Sequence, residues 1–178
     1  MILTLLLAGV MSCSQPSSLP GLADDAVILA FGDSITFGTG TNREESYPAV
    51  LARLTGRKVI NAGVPGEVSA DGLKRLPGLL DEIQPALLIL CHGGNDMLRQ
   101  QDMRMTADHL WGMIRAARER GIAVVLIAVP RPGVFLRPAG FYEEIAAAFN
   151  IPVEKEALPE ILADRHLKSD VIHPNREG

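Results

Sequence analysis

Short apolar runs alternate along this chain with stretches of helical periodicity, and most of the runs are too short to be helices. Val27–Phe31 is apolar at every position. Val59-Ile60 is a second run, leading into Asn61, and Ala86–Cys91 is the strongest. Ile122–Val129 is a fourth and Ile151-Pro152-Val153 a weak fifth. A strand apolar on successive residues has no polar face to offer water, so it belongs in a parallel sheet covered on both sides.

Helical patterns fill the intervals. One opens at Tyr47-Pro48, where proline is tolerated in the first turn, and ends at Gly56. A second runs from Ser69 to Ile83 with an expected interruption near Pro77. In a third, Met103, Ala107, Leu110, Ile114 and Ala117 follow the 3.6-residue period, and Gly121 closes it. A fourth covers Ala139 to Phe149. The alternation predicts a three-layer α/β/α sandwich with a mainly parallel five-stranded sheet and right-handed crossovers. No internal repeat occurs, and the domain spans 26–178.

The ends of the strands carry the chemistry. In such sheets reactive groups gather beyond the carboxyl ends of the strands. Gly32-Asp33-Ser34 follows the first run, and Asn61-Ala62-Gly63-Val64-Pro65-Gly66 the second. Gly93-Gly94-Asn95-Asp96 follows the third, and Asp170-Val171-Ile172-His173 lies near the end. Ser34 is the candidate nucleophile, since a hydroxyl on a strand-to-helix turn is exposed and needs only a base. His173 is the candidate base, and Asp170, three residues earlier, can orient its imidazole. The oxyanion of an acyl-transfer intermediate would be met by the backbone N–H groups of Ser34 and Gly66 and the side-chain amide of Asn95.

The four segments together resemble the conserved blocks of the GDSL, or SGNH, hydrolase family. Asp71-Gly72-Leu73-Lys74-Arg75-Leu76-Pro77, Gln84-Pro85 and Gly93–Arg99 are similar to its bacterial branch of acyl-CoA thioesterase I, lysophospholipase and arylesterase. The resemblance runs from about Val27 to Gly178. It implies Ser34, Gly66, Asn95 and His173 as site residues, with Asp170 as third triad member. It further implies a flavodoxin-like sandwich, no metal or organic cofactor, and a small acyl or aryl ester or a lysophospholipid as substrate. Cys91-His92 departs from that branch, which usually has an acidic and an aliphatic residue there. The branch also continues through a closing helix after the His173 loop, whereas this sequence ends at Gly178. The loop carrying Asp170 and His173 is therefore expected to be weakly held.

The N-terminus reads as a targeting segment. Met1–Met11 is apolar and uncharged, like a signal-peptide h-region, although no Lys or Arg precedes it. Val10-Met11-Ser12-Cys13 resembles a lipobox, so 1–13 is assigned as a signal peptide with Cys13 the lipidated residue. A Ser/Pro-rich tether follows over 14–25. These features predict an exported bacterial protein, periplasmic or membrane-anchored through lipid. Cys91 then has no cysteine to pair with and reads as a small buried hydrophobe.

Three other functions are compatible with parts of the sequence. A carbohydrate O-deacetylase would use the same site, although aromatic residues make up only 4% and offer little sugar-stacking surface. A metal-dependent hydrolase would use His92, Asp96, Asp170 and His173. A non-catalytic surface lipoprotein would keep only the fold. His109 and His166 are assigned no role. The net charge of −4, without a basic run, argues against nucleic-acid binding.

Overall fold

The computed structural model describes residues 18–133 and 135–178. Among them, five strands form one parallel sheet in the order β2-β1-β3-β4-β5. They are β1 (Val27–Gly32), β2 (Lys58–Gly63), β3 (Leu87–Cys91), β4 (Ala123–Ile127) and β5 (Val153–Glu154). The three central strands, β1, β3 and β4, are the ones whose sequences are apolar throughout, as strands covered on both faces must be. The sandwich predicted from the sequence is the one observed, and β5 is a two-residue edge pairing Val153 with Leu126.

Alternation along the strands divides the core. Leu29, Phe31, Leu88, Leu90, Val124 and Leu126 belong to the larger buried cluster. Against them pack α3 (Ser69–Ile83) through Leu76 and Leu80, and α5 (Met103–Glu119) through Leu110, Met113 and Ile114. The residues between them in sequence, Ile28, Leu87, Ile89 and Ala123, form a smaller cluster against Tyr47 and Leu51 of α2 (Tyr47–Thr55). Between α2, the sheet and α7 (Ala157–Ala163) lies an apolar groove of about 520 Å³.

The structure corrects the sequence reading in two places and adds a helix the sequence did not show. α3 passes through Pro77 without a break. Leu76 and Leu80 are both fully buried and fix the turns on either side, so packing outweighs the one lost hydrogen bond. The helix expected from Ala139 begins two residues later, as α6 (Phe141–Phe149). The seven residues of α7 are too few to show a period, and Leu158 and Leu162 hold them down by burial. Before β1, Arg57 donates to the carbonyls of Leu22 and Ala23 at 2.8 and 2.9 Å, and Leu22 packs on the smaller cluster. Those residues lie in the segment the sequence assigns to the tether. The signal segment and Cys13 lie outside the described residues.

Candidate active site

The site begins where β1 meets a four-residue helix, α1 (Ser34–Phe37). Asp33 caps that helix, its Oδ1 accepting the Ile35 N–H at 3.1 Å. Ser34 is thereby fixed as the first helical residue. Helix α1 can lie this close to the sheet because Gly32 and Gly63 face each other across β1 and β2. A Cβ on Gly32 would strike Thr36, and one on Gly63 would strike the backbone of Phe37.

Ser34 and His173 are 139 residues apart in sequence, yet Ser34 Oγ lies 2.9 Å from His173 Nε2. His173 Nδ1 is 2.8 Å from Asp170 Oδ2. A carboxylate can only accept, so Nδ1 carries the ring proton and Nε2 accepts the Ser34 hydroxyl. The other Asp170 oxygen accepts the N–H groups of Ile172 and His173 at 2.8 and 2.9 Å. Those bonds explain the Asp-x-x-His spacing, because one carboxylate folds the loop and orients the ring it carries. Burial raises the Asp170 carboxyl, but the His173 ring and the two backbone donors outweigh that and hold it below its ordinary value.

The loop expected to be loose is extensively tied. Ser169 N–H donates to the His173 carbonyl at 2.9 Å, and Asn175 N–H to that of Leu167 at 2.9 Å. Lys168 and Pro174 form an antiparallel bridge. The Asn175 amide reaches the His166 carbonyl at 2.8 Å, and Arg176 pairs with Glu45 at 3.0 Å.

The other half of the site comes from the ends of β2 and β3. Val64-Pro65-Gly66-Glu67 is a tight turn closed by Glu67 N–H to the Val64 carbonyl at 3.1 Å. Gly66 sits at φ 78°, a position that favours glycine, and Pro65 presets the residue before it. Among the described residues, neither the Ser34 nor the Gly66 N–H donates to a protein acceptor. Asn95 lies in α4 (Gly94–Leu98). Its Nδ2 donates to Asp33 Oδ2 and to the Glu67 carbonyl, both at 3.1 Å. Both amide hydrogens therefore already have acceptors, and Asn95 can reach a substrate oxyanion only by sharing one of them. Burial pushes the Asp33 carboxyl up, against the opposing charges of His92 and His173 and the donors Ile35 and Asn95.

A cavity of about 360 Å³ opens over Ser34, Asn95 and His173. Its walls include Ile35, Leu98, Val129, Leu136, Leu162 and Val171, so the space beside the nucleophile is mostly apolar.

Several contacts that shape the site carried no signal in the sequence. Asp96 is fully buried and accepts the N–H and Oγ–H of Ser69 at 2.9 and 2.5 Å. With its proton committed there, Ser69 Oγ accepts from His109 Nδ1 at 2.9 Å. His109, to which the sequence assigned no role, thus helps tie α4 to α3 and α5. Asp96 followed Asn95 in the motif, but nothing marked Ser69 or His109 as its partners. Cys91 is buried and, among the described residues, unpaired, and burial pushes its thiol well up. The four residues of the metal-hydrolase reading do not converge: His92 meets Glu67, Asp96 meets Ser69, and Asp170 meets His173. Among the described residues no three His, Cys, Asp or Glu side chains are placed to hold a metal ion.

Residues 30–178 match the family model described as GDSL-like Lipase/Acylhydrolase. The chain belongs to that family. It is 29% identical over 159 residues to thioesterase 1/protease 1/lysophospholipase L1 of Escherichia coli K12, covering 85% of this chain and 76% of that protein. A 110-residue match to esterase TesA of Pseudomonas aeruginosa is 37% identical and covers 59% of this chain and 55% of that protein. Among solved structures, AlinE4, an SGNH-hydrolase family esterase, superposes with a TM-score of 0.71 at 33% identity, covering 87% of this chain and 89% of that one. As a member of the family the chain is a serine hydrolase acting on ester bonds, with the fold of the SGNH esterases.

Proposed function

We propose that this family member hydrolyses apolar acyl and aryl esters, lysophospholipids among them, through an acyl-Ser34 intermediate. The observation that carries the reading is the unbroken chain Asp170–His173–Ser34, each link under 3 Å, opening into an apolar cavity. Ser34 Oγ attacks the ester carbonyl while its proton passes to His173 Nε2. The resulting oxyanion accepts from the free N–H groups of Ser34 and Gly66, with Asn95 sharing an amide hydrogen. The C–O bond then breaks, and the leaving alcohol takes the proton from His173. Water repeats the cycle: His173 removes its proton, the acyl–Ser34 bond breaks, and Ser34 regains its hydrogen while a carboxylic acid leaves.

The apolar walls favour hydrocarbon over sugar beside the reacting carbon. A series of p-nitrophenyl esters of graded acyl length tests this, alongside fluorophosphonate labelling mapped to Ser34. Rising kcat/KM beyond acetate supports the reading. Activity confined to acetylated carbohydrate would instead assign the site to O-deacetylation. Labelling elsewhere would remove Ser34 as nucleophile.

We also propose that the protein is exported and anchored through lipid on Cys13. The apolar Met1–Met11 stretch and Val10-Met11-Ser12-Cys13 support it. No helix among the described residues is long and apolar enough to cross a membrane. Mass spectrometry of the mature N-terminus decides this: Cys13 with two or three acyl chains is expected, and a mature chain starting elsewhere overturns it.

A further inference from the structure

Three strands deliver the candidate Ser34, Gly66 and Asn95, and their ends meet at one buried carboxylate outside the triad. Glu67 Oε1 accepts from Arg75 Nε at 2.8 Å, and Oε2 accepts from Arg75 Nη2 at 2.7 Å and His92 Nε2 at 3.1 Å. The Glu67 side chain is only 7% exposed and that of His92 is 0% exposed. Each partner reaches a different strand. Arg75 Nη2 also donates to the carbonyl of Ala62 in β2 at 3.0 Å. The same guanidinium lies 4.2 Å over the ring of Phe31 in β1, three residues before Ser34. His92 directly follows β3, three residues before Asn95, and its carbonyl accepts the Tyr142 hydroxyl at 2.7 Å. Meanwhile the backbone of Glu67 closes the Gly66 turn through its N–H and takes the Asn95 amide through its carbonyl.

We infer that the Glu67 side chain, clamped between Arg75 and His92, is a positioning residue that sets the Gly66 turn and the Asn95 amide to receive the oxyanion. Val64-Pro65-Gly66-Glu67 is a surface turn with Val64 and Pro65 exposed, and the one side chain that bonds to Gly66, that of Arg99, does so from the solvent side, at the Gly66 carbonyl at 2.8 Å. The clamp adds a buried hold from the following residue, where the Glu67 side chain is only 7% exposed. An oxyanion donor is effective only if it is in place before charge develops, so fixing the turn in advance is where such a residue acts. Burial raises the Glu67 carboxyl, but the His92 and Arg75 hydrogen bonds and the Arg75 charge overcome that and bring it to about 2, so the clamp is charged wherever the triad can work.

This inference rests on the esterase reading, and the experiment separates the two. Three measurements are made on wild type and Glu67→Gln: p-nitrophenyl acetate kinetics, the same kinetics in an Asn95→Ala background, and amide hydrogen exchange over residues 64–68. The variant is expected to lower kcat by roughly 10–100-fold while KM stays within about two-fold, the pattern of lost transition-state geometry. In the Asn95→Ala background the further loss should shrink to about three-fold or less, because both changes disable the same device. Exchange over 64–68 should speed up. Unchanged kcat, a fully multiplicative double variant or unaltered exchange each overturns the clamp. If wild type cleaves no ester while 64–68 still loosens in Glu67→Gln, the esterase reading falls and the clamp stands. Should Glu67→Gln not fold, Arg75→Lys keeps the charge but loses the two-pronged contact. It is then expected to show the same pattern at smaller amplitude, and wild-type values would overturn the inference.

Discussion

The two halves of the site are built differently. Ser34, Gly66 and Asn95 stand on strand ends backed by buried groups: Asp33, Glu67, His92 and Asp96. Asp170 and His173 stand on a surface loop, with Asp170 half exposed and Val171 between them 80% exposed. The first half is held by side chains from several elements reaching inward. The second is held by its own backbone, through the two N–H groups on Asp170 and the bonds from Ser169 and Asn175. The candidate oxyanion donors are thus braced by buried side chains, while the candidate base is braced mainly by the backbone of its own loop.

The sharpest test lies where the halves touch. Ser34→Ala removes the atom that both serve, and turnover should fall on the order of 10⁶-fold while the fold persists. Steady-state hydrolysis beside a thermal melt checks it, and activity within a few-fold of wild type would dissolve the two-half description. Next comes the exposed half. Asp170→Asn can present an N–H to His173 Nδ1 and so favour the wrong ring tautomer, with an expected loss on the order of 10³–10⁴-fold in kcat. A much milder loss would mean that the loop backbone orients the ring by itself.

Asn95→Ala probes the buried half, with an expected loss of about 10²–10³-fold in kcat and a small change in KM. It also strips one partner from Asp33, so its melting temperature should drop where that of Ser34→Ala does not. If KM carried the whole loss, Asn95 would hold the substrate rather than the transition state.

The smallest effect is on acid stability. The Glu67 carboxyl is depressed to about 2 in the folded chain, so its stabilisation is fully present above the unfolded value near 4.5 and is lost as pH falls from there towards about 2. Melting temperatures of wild type and Glu67→Gln should therefore converge across that window. A gap that stays constant down to pH ~2 would show that the Glu67 charge does not stabilise the fold. Asp170 is also depressed, but its exposure to solvent should make the matching effect of Asp170→Asn smaller.

Much of this was legible because the chemistry is local. The strands announced themselves as apolar runs too short for helices. Gly32-Asp33-Ser34 falls at a strand end, and Asn61–Gly66 follows the second run into a turn whose Gly66 sits at φ 78°. Asp170 and His173 are close enough in sequence for a single carboxylate to fold and orient the pair. Those features depend on nearest neighbours and on one residue's conformational limits, which composition and spacing record. Glu67 and Arg75 left no record of their pairing, and His92 stood out only as a departure from the family branch and as a metal-ligand candidate. They come from a turn, the middle of α3 and the residue after β3, and each alone reads as an ordinary charged or packed side chain. Only the strand order β2-β1-β3 brings their strand ends side by side, and only burial makes one carboxylate worth two partners. Pro77 shows the same limit from the other side, since its local rule was overridden by Leu76 and Leu80 in the core. The sequence by itself determined the layers, the strand-end motifs and the family, and it named the candidate reacting groups. Tertiary structure decided which donors are free, which are already engaged, and what holds them still, because those outcomes depend on contacts between segments that no sequence spacing encodes.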